Sequence, residues 1–391
     1  MTKVYKLHNQ IKHYEWGSPH LLPQFLGFEN NEETPCAEMW MGTHGNAPSV
    51  AQYGEKQVNL VEISGELAFL FKLLAVERPL SIQAHPNKEQ AAEGFLRENK
   101  TGITLNSHRR NYKDANHKPE VLCALSPFTL MAGFRKAGEI YASVETLLFI
   151  APRLKDTLSS MLRALEAGHL AAFFGILVCL SSIERKYLST IISEKETDET
   201  EAVSPEQWNL MKRFAAQFPE DSAILSPLYL NLITLQIGQA VFIPAGVLHS
   251  YISGFGIELM TSSDNVLRGG LTRKYTDIPE LMNILDFNSY MPPVYTQDSA
   301  LDSAAWFCYQ TPCKEYFLAF MRGDGGEKVF PVKEAAICIV TEGELKAGGM
   351  EFKKGESFFI PQNKGTESLS FSGNYSLFAA YGGTAAYAAA L

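Results

Sequence analysis

The sequence has no CxxC cysteine pair and no long apolar run. Its cysteines lie at positions 36, 123, 179, 308, 313 and 338, and no two of them form a CxxC pair. This spacing argues against a structural zinc knuckle and against a dense disulfide framework. The first 17 residues contain no apolar stretch of signal-peptide length. The run LAAFFGILVCL (170–180) is too short to span a bilayer and predicts a buried helix. We therefore expect a cytoplasmic protein that does not associate with membranes.

Positive charge is also in short supply. The 34 Lys and Arg residues are outnumbered by 43 Asp and Glu residues, which gives a formal net charge of −9. Because there is no global positive field, nucleic acid is not an expected partner. An anionic small molecule would need a local group of lysines and arginines. The length of 391 residues predicts two or three domains of about 100–200 residues each.

The spacing of apolar and turn residues changes along the chain. Short apolar runs broken by Gly, Pro, Asn and His fill residues 1–136 and return in 223–295, which predicts strands. Residues 137–222 carry apolar positions at three- and four-residue spacing, which predicts helices. Strand texture continues through 296–391. The pattern predicts a mainly β protein. A helical subdomain is inserted into a first β domain, 1–136 plus 223–295, and a second β domain follows.

A short internal repeat links the two predicted β domains. GQAVFIP (238–244) and GESFFIP (355–361) match in the spacing of their glycine and proline. Each predicts a strand entered from a glycine turn and left through a proline turn. Five residues after its proline the first copy has His249, whereas the second has Thr366. The repeat predicts two related β domains, of which only the first has a metal ligand at this position.

Several polar side chains occupy places where a metal could bind. Gln83 and His85 are two residues apart, so on a strand they share a face. Glu120 enters the apolar run VLCAL, where a carboxylate needs a partner, either a metal or a buried Lys or Arg. Taken alone, Gln83 and His85 are equally compatible with ordinary polar residues at a strand end. His249 follows Gly246 closely after the first glycine–proline repeat.

The combined motifs resemble a known family. The spacing from Gly238 to His249 resembles the second motif of the cupin superfamily, although the compact HxH of the usual first cupin motif is missing. SIQAHPNK, NHKPE, VLHSY and SDNVLRGGLT together resemble the type I mannose-6-phosphate isomerases, in a bacterial form. The resemblance implies jelly-roll β domains, the second of them degenerate. It also implies one zinc ion per chain, held by Gln83, His85, Glu120 and His249. A carboxylate, two imidazoles and an amide oxygen suit a borderline-soft divalent ion.

A base is expected beside the metal. If Ser253–Gly256 formed a four-residue turn, Tyr251 would face Glu258 across a hairpin, and Glu258 would lie diagonal to His249. Glu258 could then be the general base, or a carboxylate that orients His249. Lys118 and His117 are rival bases. Tyr251 could assist ring opening.

The remaining candidates concern the sugar and its phosphate. Arg268 is an active-site residue in the family, and it could stabilise an enediolate or bind phosphate. Asp264 could orient it or be a plain turn carboxylate. Further substrate-binding candidates are Lys72, Ser81, Lys118, Trp16 and Glu38.

The expected activity is the reversible isomerisation of D-mannose 6-phosphate and D-fructose 6-phosphate by a monomeric, zinc-dependent enzyme. Two alternatives belong to other classes. One is a cupin oxygenase using iron, although such sites usually hold a compact two-histidine, one-carboxylate triad. The other is a non-catalytic sugar-binding cupin.

Overall fold

The computed structural model describes residues 3–195, 202–297, 306–330, 334–362 and 369–383. The protein is mainly β, as predicted, and its strands form two antiparallel systems. The strands are β1 (Tyr5–His8), β2 (Gln10–Lys12), β3 (Glu38–Gly42), β4 (Val50–Tyr53), β5 (Lys56–Asn59), β6 (Phe69–Val76), β7 (Ile82–Ala84), β8 (Glu120–Ala124), β9 (Phe128–Phe134), β10 (Leu230–Leu235), β11 (Ala240–Ile243), β12 (His249–Thr261), β13 (Leu267–Gly270), β14 (Val294–Tyr295), β15 (Trp306–Cys308), β16 (Tyr316–Asp324), β17 (Lys328–Phe330), β18 (Ala336–Ala347), β19 (Met350–Lys353), β20 (Ser357–Ile360), β21 (Leu369–Ser372) and β22 (Asn374–Gly382).

The helices are fewer and most of them are grouped. They are α1 (Leu21–Leu26), α2 (Leu60–Ser64), α3 (Lys88–Lys100), α4 (Ala137–Ile150), α5 (Lys155–Glu166), α6 (Leu170–Val178), α7 (Ser182–Glu194), α8 (Pro205–Gln217), α9 (Ser226–Tyr229) and α10 (Ile278–Ile284), with 3-10 turns at Pro152–Leu154 and Ser222–Leu225. Over the described ranges, none of these helices has the length and apolar character needed to cross a membrane.

The first strand system carries the predicted ligands. Its order is β14-β11-β8-β12-β6-β3-β2, with β7, β9, β10 and β13 joined at the side. The long strand β12 connects the parts of this strand system. The amino-terminal part of β12 pairs with β7 and β9, and its carboxyl-terminal part pairs with β6 and β8. Residues far apart in sequence therefore meet along one strand.

The predicted hairpin after His249 is wrong, because β12 runs without a turn to Thr261. Its glycines serve close packing instead. A Cβ on Gly254 would lie 2.8 Å from the Cα of Phe128, and one on Gly256 would lie 2.8 Å from the carbonyl oxygen of Cys123. Only glycine lets β12 pass this close to its neighbours. A register irregularity between Tyr251 and Ser253 also changes the alternation of faces along the strand.

The second strand system is built mostly from the carboxyl-terminal residues. Its order is β15-β16-β22-β18-β20-β1-β4-β5, with β17, β19 and β21 joined at the side. The amino-terminal strand β1 pairs with β20, so that Tyr5 lies opposite Phe359. This pairing joins the two ends of the chain. The boundaries of the β domains stay a prediction.

The helices α4 to α8 follow β9 and precede β10, within the range predicted to be helical. The run at 170–180 forms α6, where Phe173 and Phe174 are buried as predicted. Ser204 caps α8 by accepting a hydrogen bond from the backbone N–H of Gln207. These helices pack on the first strand system through an apolar cluster that includes Phe134 and Ile82.

Both copies of the repeat form a strand. Gly238 before β11 and Gly355 before β20 have φ values of 82° and 86°. Both are left-handed positions that favour glycine, as the predicted turns require. Thr366 lies outside the described residues.

Candidate metal centre

Three of the predicted ligands meet in the first strand system. His85 follows β7, Glu120 begins β8 and His249 begins β12. One ligand atom from each lies within 4.8 Å of the other two. All three side chains are buried. This separation leaves room for a metal ion between them.

The two imidazoles are held by backbone carbonyls. His85 Nδ1 donates to the carbonyl oxygen of Asn265 at 2.7 Å, and His249 Nδ1 donates to that of Val247 at 2.9 Å. A carbonyl can only accept, so each Nδ1 carries a proton, and in a neutral imidazole Nε2 is then the atom that presents a lone pair. Both Nε2 atoms are buried and have no hydrogen-bond partner. Metal-ligating histidines are usually oriented in this way.

The carboxylate of Glu120 faces these lone pairs. Its Oε1 is 3.2 Å from Nε2 of His85, and its Oε2 is 3.4 Å from Nε2 of His249. Burial, together with the charge of Lys118, lowers the pKa of His85 to about 4. The imidazole of His85 is therefore neutral near pH 7, and an acceptor faces an acceptor. A cation between them resolves this conflict, so the residues fit a bound divalent metal.

Gln83 lies on the same strand as His85 and opposite His249. The register pairs Gln83 with His249 of β12 and with Arg268 of β13. Directly opposed residues in a sheet place their side chains on one face. Gln83 is therefore positioned to supply a fourth ligand. Its role stays a prediction.

Two further candidates contact Glu120. Lys118 Nζ lies 2.9 Å from Oε1, and the hydroxyl of Tyr251 donates to Oε2 at 3.0 Å. Lys118 and Tyr251 are both buried. Although burial opposes ionisation of Glu120, the charge of Lys118 is the largest opposing influence and the pKa of Glu120 is held well below its usual value. The carboxylate is therefore ionised, with Lys118 and Tyr251 as donors, while it also faces the two unpartnered Nε2 atoms.

A second buried network lies beside the first. Lys72 Nζ is 2.9 Å from Oε2 of Glu258 and 3.6 Å from Oε1 of Glu38. Trp40 Nε1 donates to the other oxygen of Glu38 at 2.6 Å. Burial raises the pKa of Glu258, and Lys72 opposes part of that shift. Tyr251 lies close enough to Glu258 for the two to interact. The networks therefore share one tyrosine.

Arg268 is half-buried and has two cationic neighbours that the sequence did not single out. Burial lowers the pKa of Lys274, and the charges of Arg268 and Lys113 lower it further. The carboxylate of Glu15 opposes only part of the shift in the pKa of Lys274. Together these cations form the local group of positive charges that an anionic substrate would need.

The other predicted substrate-binding residues are more scattered. Asp264 lies 3.4 Å from His44 Nε2 and accepts from Asn46 Nδ2 at 3.1 Å, so its contacts are to the loop after β3 and not to Arg268. Trp16 is half-buried and stacks on Tyr14, with ring centroids 5.7 Å apart. Ser81 is half-buried directly before β7.

Asn265 is a positioning residue that the sequence reasoning missed. It is fully buried, and its carbonyl oxygen holds His85. Its side chain accepts from the backbone N–H groups of Lys113 and Asp114 and donates to two carbonyls of the same loop. Asn265 thus joins the loop bearing Lys113 to a candidate ligand. The motif SDNVLRGG contained it, but nothing in the sequence distinguished it from an ordinary turn residue.

His117, a rival base, contacts a carboxylate outside this centre. Its Nε2 lies 2.8 Å from Oε1 of Glu315, a residue just before β16. This nitrogen is therefore engaged with the carboxyl-terminal part of the chain. Lys118 and Glu258 remain as candidates for the base.

Comparison with known proteins gives one consistent result. A family model described as the catalytic domain of type I phosphomannose isomerase matches residues 4–137. The mannose-6-phosphate isomerase of Escherichia coli K12 is 33% identical over 380 residues, which cover 92% of this chain and 95% of the relative. The human mannose-6-phosphate isomerase is 29% identical over 88% of this chain and 89% of its own length.

Solved structures agree with the sequence relatives. A zinc-bound mannose 6-phosphate isomerase superposes with a TM-score of 0.86 at 30% identity, covering 97% of this chain and 99% of that one. The Salmonella typhimurium enzyme bound to fructose 6-phosphate and zinc gives a TM-score of 0.84 at 31% identity, with the same coverage. The chain therefore belongs to the type I mannose-6-phosphate isomerase family, whose fold is a cupin.

Proposed function

We propose that the protein catalyses the reversible isomerisation of D-mannose 6-phosphate and D-fructose 6-phosphate with one zinc ion per chain. The observation that carries the proposal is the buried group of His85, Glu120 and His249, with two unpartnered Nε2 atoms aimed at an ionised carboxylate. Gln83 completes the proposed ligand set. Two imidazoles, a carboxylate and an amide oxygen form a ligand set that suits zinc, a borderline-soft divalent ion.

The chain's own residues supply proton transfer and charge. Isomerisation moves the C2 proton of the open-chain aldose to C1 and a hydroxyl proton from O2 to O1, through a cis-enediol(ate). Bound zinc supplies Lewis-acid polarisation of the sugar carbonyl. Lys118, whose ammonium lies 2.9 Å from the candidate ligand Glu120, supplies positive charge beside the enediolate oxygens as they develop negative charge. Tyr251 stays protonated because burial raises its pKa, so its hydroxyl remains a hydrogen-bond donor that can orient a sugar oxygen.

Glu258 is our first choice for the base. A base works best with a pKa near the working pH, and burial shifts the pKa of Glu258 in that direction. Lys118 is the alternative, but its ammonium lies against Glu120 and would have to lose a proton first. Lys72 holds Glu258 in place and can share its proton.

We assign the phosphate to the cations around Arg268. Arg268, Lys274 and Lys113 share one field, and Arg268 can form a bidentate contact with phosphate oxygens. Ser81 lies directly before β7, two residues from Gln83, and its hydroxyl can add a hydrogen-bond donor. Trp16 and Asp264 are proposed to shape the outer part of the site, and Glu38 is proposed to act through the buried Lys72 beside Glu258.

A turnover assay tests the proposed function. The purified protein is incubated with mannose 6-phosphate, with and without a chelator, and fructose 6-phosphate is measured. We expect product only without the chelator, and recovery when zinc is restored. Consumption of oxygen would favour an iron-using cupin oxygenase. Binding of the sugar without turnover would favour a sugar-binding cupin, and either result would overturn the proposal.

The Glu258→Gln variant tests the base. It removes the proton acceptor but preserves shape, so zinc content should be unchanged while exchange of the C2 proton with solvent deuterium should fall by about 10²–10⁴-fold. Lys118→Met is the matched comparison. Exchange that persists in Glu258→Gln and disappears in Lys118→Met would move the base to Lys118.

The same proposal includes a cytoplasmic monomer that does not bind nucleic acid. The net charge of −9 supports the last point. Light scattering on a sizing column measures the oligomeric state. Limited proteolysis, with cuts expected near 137, 222 and 296, would test the predicted domain boundaries.

A further inference from the structure

The carboxyl-terminal strand system contacts the segment that leads into a proposed ligand. We call residues His117–Glu120 the ligand segment, since it carries Lys118 and Glu120. Two neighbouring residues of the carboxyl-terminal part contact it. Tyr316, the first residue of β16, donates its hydroxyl to the carbonyl oxygen of Pro119 at 2.7 Å. Glu315 accepts from His117 Nε2 at 2.8 Å.

The contact from Tyr316 is placed to control Glu120. The carbonyl of Pro119 belongs to the peptide unit that enters Glu120, so its direction sets the start of β8 and the direction of the Glu120 side chain. Tyr316 is fully buried, and burial raises its pKa, so the hydroxyl remains a donor. A buried hydrogen bond of this kind holds one orientation because the alternative leaves a polar group unpaired.

Other contacts fix the beginning of the ligand segment. The hydroxyl of Thr261, at the end of β12, donates to the carbonyl oxygen of His117 at 2.6 Å. The second carboxylate oxygen of Glu315 accepts from the Cys313 thiol at 3.5 Å and from the backbone N–H of Lys314 at 3.2 Å. These two contacts orient the carboxylate of Glu315, which in turn accepts from His117.

We propose that Glu315 and Tyr316 are positioning residues, through which the carboxyl-terminal β domain aligns Lys118 and Glu120 at the metal centre. This inference rests on the proposed function. It assigns a role to the carboxyl-terminal β domain, whose described residues include no group of side chains that could hold a metal ion. Neither residue touches the metal group directly, so each acts through the ligand segment.

The chain offers a matched control for Tyr316. Tyr309 is also fully buried and also donates from the carboxyl-terminal part to a carbonyl oxygen of the first β domain. Its acceptor is Gly238, at 2.9 Å, in the turn before β11 and outside the ligand segment. Tyr316→Phe and Tyr309→Phe therefore each remove a buried tyrosine–carbonyl hydrogen bond between the same two parts of the protein. Tyr309→Phe also removes the contacts of its hydroxyl with Gln297 Nε2 at 2.6 Å and Cys123 Sγ at 3.2 Å, so it is the more disruptive of the two changes away from the ligand segment.

The experiment compares zinc affinity, kcat, KM and melting temperature in the two variants. We expect Tyr316→Phe to weaken zinc binding by about 10–100-fold, the usual effect of losing a partner that orients a ligand. It should also lower kcat with less than about a twofold change in KM. Tyr309→Phe, which removes more contacts, should lower the melting temperature by at least as much and leave zinc affinity and kcat unchanged.

The outcomes separate this inference from the proposed function. Equal effects of the two variants on zinc affinity, or no effect of Tyr316→Phe, would overturn the positioning role. Zinc affinity is read by competition with a chelating dye and needs no turnover. If the wild type bound zinc but did not isomerise the sugar phosphate, the function would fail while the zinc measurement still tested the inference.

A second pair of variants tests Glu315. Glu315→Ala removes the acceptor for His117, whereas Glu315→Gln keeps an oxygen in the same place. We expect Glu315→Ala to weaken zinc binding several-fold and Glu315→Gln to recover most of the loss. Equal zinc affinity in Glu315→Ala and the wild type would contradict a positioning role for Glu315.

Discussion

Glu120→Gln is expected to lose its zinc and to reduce isomerase activity by more than about 100-fold, the upper end of what losing an outer hydrogen-bond partner of a ligand costs. The variant keeps the size of the side chain but removes the negative charge that faces His85 and His249. It also leaves Lys118 without its carboxylate partner. Metal analysis after dialysis and the turnover assay measure the two effects.

A matched control separates loss of the metal from general destabilisation. Glu98 is another buried carboxylate, and its Oε2 lies 3.0 Å from Nε of Arg110. Glu98→Gln should lower stability but keep zinc at one ion per chain. A Glu120→Gln variant that retained full zinc content and activity would refute the assignment of Glu120 as a ligand.

Lys72→Met is expected to destabilise the metal-free protein by about 3–5 kcal/mol, because removing one partner leaves a buried charge uncompensated. Lys72 lies between Glu258 and Glu38 and is itself buried. Although burial disfavours an ammonium, the two carboxylates outweigh it and raise the pKa of Lys72. Urea denaturation measures the loss.

Two further variants give this prediction its controls. Lys72→Met combined with Glu258→Gln should recover part of the stability but not the activity, because one uncompensated carboxylate is then gone. Lys346→Met removes an exposed ion pair with Glu351, in which the charged atoms are 2.8 Å apart, and should leave stability unchanged. A Lys72→Met variant as stable as Lys346→Met would show that the buried network is not held by its charges.

Local patterns in the sequence were sufficient for much of the fold. Helical spacing predicted the helices between β9 and β10, and the paired glycine–proline motifs predicted β11 and β20. These features depend on residues close together in the chain, so periodicity and turn chemistry report them directly. The predicted mainly β cupin fold with inserted helices is confirmed.

The errors have a different origin. Gly254 and Gly256 suggested a turn, but the structure uses them to let β12 approach Phe128 and Cys123 closely. A glycine that permits a turn and a glycine that permits close packing look the same in a single sequence. The pairing of Tyr5 with Phe359 joins distant residues and leaves no local signal.

The candidate site also combines residues that the sequence predicted with residues that it did not. The sequence placed His85, Glu120 and His249 in one site, and the structure brings their ligand atoms within 4.8 Å of one another, while their roles stay a prediction. Asn265 and Lys274 were missed because their importance comes from a loop and a charge field assembled by the fold.

X-ray absorption at the zinc edge of the purified protein tests the central claim most directly. We expect one zinc per chain, bound by two imidazoles with oxygen completing the shell, and no sulfur. His249→Ala should leave no bound zinc to measure. Sulfur at about 2.3 Å, or a spectrum with no imidazole, would place the metal elsewhere and contradict the account.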